Sequence, residues 1–147
     1  RVHHSDTEMD VSTAIRFHPI EIALSMALKI GLVYALGADP LSILIFEILL
    51  NGSSMFNHAN INIPNRIDEI IRLLIVTPDM HRIHHSSDRI DHDKNFGFAL
   101  SIWDHMFRTY KSRPEKPHKE MEIGLNWQDE KPEKLGWSLG LPFKKNG

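Results

Sequence analysis

The sequence contains no cysteine. Disulfides and thiolate-bound metals are therefore excluded, although this does not decide the compartment. It also lacks a basic footprint. Net charge is −2 and Lys and Arg are spread along the chain, which argues against a nucleic-acid partner. No flavin, haem or nicotinamide signature is present, and there is no internal repeat longer than one short histidine motif. Nor does the chain open on Met. It starts with Arg1-Val2-His3-His4, which reads as the middle of a motif, so the sequence is expected to be the later part of a longer protein.

Histidine is abundant instead, with ten in 147 residues. It is the commonest metal ligand and a proton shuttle near neutral pH. The mean hydropathy is mildly negative, but it averages a strongly apolar stretch over 20–56 with a polar, Pro-rich one over 77–147. Ile20 to Leu36 predicts a helix started by Pro19 and stopped by Gly37. At ~25 Å it falls a little short of a ~30 Å hydrocarbon core. Leu41 to Phe56 predicts a second helix, and Gly37-Ala38-Asp39-Pro40 a tight turn between them.

Two settings fit such a hairpin. Glu21, Lys29 and Glu47 allow a buried hairpin in a water-soluble domain. Charge placement favours a membrane: Arg1, Arg16, Arg66, Arg72, Arg82 and Arg89 flank the open ends, and the turn carries only Asp39. Both ends would then lie on the cytoplasmic side. Asn65 to Val76 predicts an amphipathic helix with Ile67, Ile70, Ile71, Leu74 and Ile75 on one face, suited to a membrane interface or to a globular surface. Pro78 is expected to end it. Beyond residue 126 the tail is rich in Lys, Glu and Pro, and Trp127, Trp137 and Phe143 predict that it packs back on the rest. The fold class expected is all-α: a membrane hairpin, an interfacial helix and a histidine-rich cytosolic cap, with a main unit over 1–126 and a tail over 127–147.

His81, His84 and His85 form His-x-x-His-His, and on a helix these positions share one face. His3 and His4 read as a second copy lacking its first His. Two convergent sets of imidazoles suit a site with two metals, although iron, copper, zinc and nickel all accept imidazole. His58 follows the second apolar helix at a depth that lets it join them. His18 is expected to cap the hairpin entry, and His118 to be solvated. His92 and His105 follow the second set, and His92 and Asn95 are retained as possible additions to the site. A ligating histidine usually donates its other N–H to a carboxylate or carbonyl, so Asp6 and Asp79 are expected partners, with helix capping an equal alternative for Asp79.

Four stretches together resemble the fatty acid hydroxylase / sterol desaturase superfamily. RVHHSD with MDVSTAIRFHPIE is similar to its middle histidine box, and FNHANI to the element after its second membrane helix. DMHRIHHS is similar to its last histidine box, and DKNFGFALSIWDHMFRTY to the segment that usually ends these domains. The resemblance spans residues 1 to about 126. It implies a membrane-embedded helical fold whose cytosolic cap holds two irons, and O2-dependent hydroxylation or desaturation of a lipid C–H bond with two external electrons from a separate donor protein. It places His3, His4, His81, His84 and His85 on ligand positions, with His58 beside them. It makes Asn95, Gly97, Trp103 and Asp104 architectural. The family's first histidine box, and the first His of the middle one, would lie upstream, so this chain alone is expected to bind metal poorly and not to turn over. Arg108 stands where the family usually has Gly.

The lipid is left open among fatty acids, sterols, alkylglycerols, sphingolipids and carotenoids. Two other functions compete: a zinc-dependent membrane hydrolase using the same histidines, and a membrane-anchored metal-binding protein without activity.

Overall fold

The computed structural model describes residues 1–127 and 132–144. Among the described residues all regular structure is helical. The α-helices are α1 (Pro19–Leu36), α2 (Pro40–Asn57), α3 (Asn65–Ile71), α4 (Pro78–His84), α5 (Arg89–His92), α6 (Ile102–Phe107) and α7 (Leu135–Gly140). Short 3-10 turns cover His3–Ser5, Val11–Ile15 and Leu141–Phe143.

The limits of α1 and α2 follow from their end residues. His18 caps α1, its Nδ1 accepting from the Ile20 N–H at 3.2 Å, and Pro19 needs no partner in the first turn. Gly37 closes the helix at φ 62°, where a side chain would be strained. Asp39 caps α2 by accepting from the Leu41 and Ser42 N–H groups at 3.0 and 3.1 Å. The short link folds α2 back along α1, and Lys29 reaches across to Glu47 at 2.6 Å. Among the described residues only α1 is long and apolar enough to cross a membrane, and none of its residues is buried. α2 matches its length but is diluted by Ser42, Glu47, Asn51, Ser53 and Ser54.

The third expected helix is shorter than its apolar pattern. α3 ends at Ile71, and the chain then turns into a main-chain pairing with a distant segment. Ile75 lies opposite Leu100, the Val76 N–H donates to the Ala99 carbonyl at 3.0 Å, and the Ser101 N–H donates to the Leu74 carbonyl at 3.1 Å. Pro78 does not end this helix; it opens α4, capped by the Thr77 hydroxyl. The polarity of α3 is also inverted. Ile67 and Ile70 are exposed, while Asp68 and Arg72 are buried and ion-paired. Leu73, Leu74, Phe96, Ile102, Trp103, Met106 and Phe107 are likewise exposed.

The segment after α5 is held by a polar lock. The Asp104 carboxylate accepts from the Phe96 N–H (2.7 Å), the Gly97 N–H (2.8 Å) and the Thr109 hydroxyl (2.6 Å). Asn95, buried at φ 53°, donates to the Met80 and Lys111 carbonyls and accepts from the Lys111 N–H. In the tail, Trp137 and Leu141 cluster with Val2, with Leu125 and Trp127 packed against them. The His18 Nε2 lies 3.1 Å from the Leu139 carbonyl. Phe143 is mostly exposed.

Two substitutions test the lock by thermal melting of the detergent-solubilised protein. A Cβ on Gly97 would sit 2.6 Å from the Asp104 carboxylate and 2.8 Å from the Leu100 carbonyl. Gly97→Ala should therefore destabilise by about 1–3 kcal/mol. Arg108 ends α6 at φ 60° with its side chain exposed, so Arg108→Gly should stabilise by about 1 kcal/mol.

Candidate metal centre

Three separate parts of the chain deliver the histidines. The 3-10 turn at His3–Ser5 presents His3 and His4. The end of α2 presents His58 as its C-cap residue. α4 presents His81 and His84 on its last turn, with His85 closing it. His3, His58, His81 and His85 each offer one ring nitrogen, and these nitrogens lie within 4.8 Å of one another. The Nε2 atoms of His58 and His3 are 3.0 Å apart, and those of His81 and His58 are 3.2 Å apart. Bonds of ~2.1 Å from nitrogen to a shared metal give spacings of this size.

Hydrogen bonding decides which ring nitrogen faces inward. His3 Nδ1 lies 3.0 Å from the Thr13 carbonyl, and His58 Nδ1 lies 2.7 Å from the Ser54 carbonyl. A carbonyl can only accept, so each Nδ1 carries the proton and each Nε2 keeps a bare lone pair. Bare lone pairs about 3 Å apart repel one another, and a shared cation between them removes that repulsion. His85 points the same way. It is fully buried and neither of its ring nitrogens has a partner; His81 Nδ1 and His4 Nδ1 are also buried and unpaired. Unpaired buried groups of this kind are costly and rare. The donor set is capable of coordinating a metal ion.

A second group of rings adjoins the first through His85. His4 stacks on His85, with centroids 4.5 Å apart. His84 and His92 lie 4.8 and 5.1 Å from His4. His84 Nδ1 faces the His92 and Lys94 carbonyls at 3.1 and 2.9 Å, which again leaves Nε2 bare.

At His3, His58 and His84 the Nδ1 partners are main-chain carbonyls rather than the expected Asp6 and Asp79. Asp6 acts one step back: it accepts from the Thr13 hydroxyl at 2.7 Å and pairs with Arg16 at 3.4 Å, steadying the residue whose carbonyl holds His3. Asp79 is paired with Arg82 at 3.3 Å. The cap ahead of His81 is Thr77, not Asp79. The Asn95 amide is committed to the main chain. His105 stacks on Tyr110 at 4.1 Å. His118, expected in solvent, is half-buried, with Asp79 and Arg82 among the charges acting on it. Sequence reasoning missed the Thr13, Ser54 and Lys94 carbonyls, since side-chain identity carries no signal for a main-chain acceptor.

Burial lowers the pKa of every histidine in the first group, and neighbouring imidazoles add to the effect at His3, His81 and His85. His3 is lowered to about 4, and His58, His81 and His85 are also lowered. In the second group His4 is lowered to about 2, first by burial and then by His84 and His3. The cluster is thus neutral and ready to bind metal at ordinary pH.

These shifts predict an acid-sensitive fold. Folded histidines with lowered pKa bind fewer protons than the unfolded chain, so stability is complete above ~6.5 and falls with pH. The melting temperature of the metal-stripped protein should decline steadily from pH 6.5 towards pH 4; a flat profile would contradict the buried neutral cluster. His85→Leu should have opposite effects on stability and binding. It removes two unpaired buried nitrogens and should stabilise the stripped protein by about 1 kcal/mol or more, while metal retention by equilibrium dialysis collapses.

The family model described as fatty acid hydroxylase matches residues 1–109. Alkylglycerol monooxygenase of Homo sapiens is 29% identical over 79% of this chain and 25% of its own length. Ornithine lipid hydroxylase OlsE of Rhizobium tropici is 29% identical over 99% of this chain and 42% of its own length. The chain thus spans less than half of these relatives. No solved structure matches it. With a family match over most of the chain and the histidine boxes of that match gathered into one buried cluster, the chain belongs to the fatty acid hydroxylase family, within the fatty acid hydroxylase / sterol desaturase superfamily.

Proposed function

We propose that this chain is the metal-binding part of a membrane-bound di-iron oxygenase that hydroxylates or desaturates a lipid C–H bond with O2 and two electrons. The observation that carries the reading is the convergence of the bare Nε2 atoms of His3 and His58 with the Nε2 of His81. Six residues would hold the irons: His3, His4, His58, His81, His84 and His85, completed by ligands from the upstream part of the protein. When bound, an iron pair supplies the reduction of O2 and the oxidising power needed to break an unactivated C–H bond.

The chain's own residues do the rest. The Thr13 and Ser54 carbonyls hold His3 and His58 in the ligating tautomer, and Asp6 steadies Thr13. Burial of His58, His81 and His85 keeps water from the centre. α1 would span the bilayer, with α2 returning beside it. The exposed apolar side chains of α3, Phe96 and α6 would rest in the interface, where such residues find an apolar surrounding. The cluster would face the cytoplasm, a reading supported by the arginines that flank the hairpin. The named relatives act on an alkylglycerol and on an ornithine lipid, which favours a polar-headed lipid as substrate. A separate protein would deliver the electrons. The tail beyond residue 126 would close over Val2, next to His3.

The test is metal analysis and isotope labelling of the full-length protein. Iron should be the bound metal, and a lipid product formed under labelled O2 should carry the label or a new double bond. Lipid profiles of a deletion strain, with and without the gene restored, should differ in that product. Zinc in the centre with anaerobic cleavage of a lipid would contradict the proposal and support the hydrolase.

A further inference from the structure

His92 belongs to neither histidine box, yet it lies against both of them. It occupies the last turn of α5, and its ring is 5.1 Å from His4 and 5.5 Å from His84, parallel to the latter within 7°. The reason is a reciprocal pair of bonds. His92 Nδ1 lies 3.1 Å from the His84 carbonyl, and His84 Nδ1 lies 3.1 Å from the His92 carbonyl. Each carbonyl forces the proton onto the facing Nδ1, so both rings keep a bare Nε2. This is the arrangement that orients His3 and His58 in the first group. His4 adds a ring with a buried, unpaired Nδ1 at the same place.

We infer that His92 is a metal ligand, and that His4, His84 and His92 form the second metal position, joined through His85 to the position formed by His3, His58 and His81. The inference rests on the di-iron reading and adds to it a residue outside the paired boxes. His92 is only half-buried and also lines an open cleft with Ser86, Ser87 and Arg89. The second position therefore sits at the rim of the cluster and the first in its interior.

The experiment counts iron per chain in the full-length protein, detergent-purified, for the parent, His92→Asn, His92→Gln and His105→Asn. Asn reproduces the Nδ1–H donor to the His84 carbonyl but has nothing at the Nε2 position. If His92 binds metal, His92→Asn loses about half of the iron and His105→Asn loses none. If His92 serves only to hold α5 against α4, His92→Asn keeps the parent's full iron content and the inference is overturned. Gln reaches the Nε2 position with a weaker donor, so should the Asn variant fail to fold, His92→Gln is read by chelator challenge: about half of the iron stripped more readily than from the parent supports the inference, and iron held as firmly as in the parent overturns it. A parent with two irons alongside a fully loaded His92→Asn removes the inference and leaves the oxygenase reading intact. A parent that takes up no iron removes both.

Discussion

The site depends on a constraint that involves no charge: an imidazole whose Nδ1 faces a carbonyl has only its Nε2 left to offer. His3 and His58 meet that constraint through Thr13 and Ser54, and their Nε2 atoms converge with that of His81. The geometry of the surrounding chain serves to keep those carbonyls in place. The Asp10 capping box fixes the 3-10 turn that carries Thr13, and the last turn of α2 carries both Ser54 and His58. Rigid supports matter because convergent lone pairs repel, and a looser frame would let the rings turn away.

The rest of the molecule distributes polarity in the opposite way from a water-soluble domain. Its interior holds His58, Asp68, Arg72, His81, His85, Asp91, Asn95 and Asp104, while α1, α3 and α6 carry exposed Ile, Leu, Met, Phe and Trp. The buried polar groups are largely paired, as Asp104 is with Phe96, Gly97 and Thr109. The His cluster is the main departure, with His4, His81 and His85 all holding unpaired nitrogens. Single unpaired atoms also occur at Asn57, Asp68, Arg72, Ser101, His118 and Trp137, but the cluster gathers four in adjoining rings, and that concentration marks where a ligand belongs.

Much of this was legible in the sequence, and the exceptions share a cause. Pro19, Gly37, Asp39 and Pro40 announce the limits of α1 and α2 because caps are local signals. The gathering of His3 with His81 and His85 was legible because the hairpin returns the chain to its starting end. The end of α3 was not. Leu74 and Ile75 continue a helical apolar pattern, but the Leu74 carbonyl and the Val76 N–H are taken by Ser101 and Ala99, a pairing no local window contains. Arginine counting treated Arg16, Arg72 and Arg82 as free flanking charges, yet each is ion-paired with an aspartate. His92 was legible only as a possible addition for the same reason: only the meeting of α5 with α4 gives its ring an orientation.

X-ray absorption at the iron edge of the loaded full-length protein tests the convergent-imidazole centre most directly. The structure predicts a nitrogen shell at ~2.1 Å with the outer scattering of imidazoles bound through Nε2. A shell dominated by carboxylate oxygens, or an absence of imidazole scattering, would contradict it.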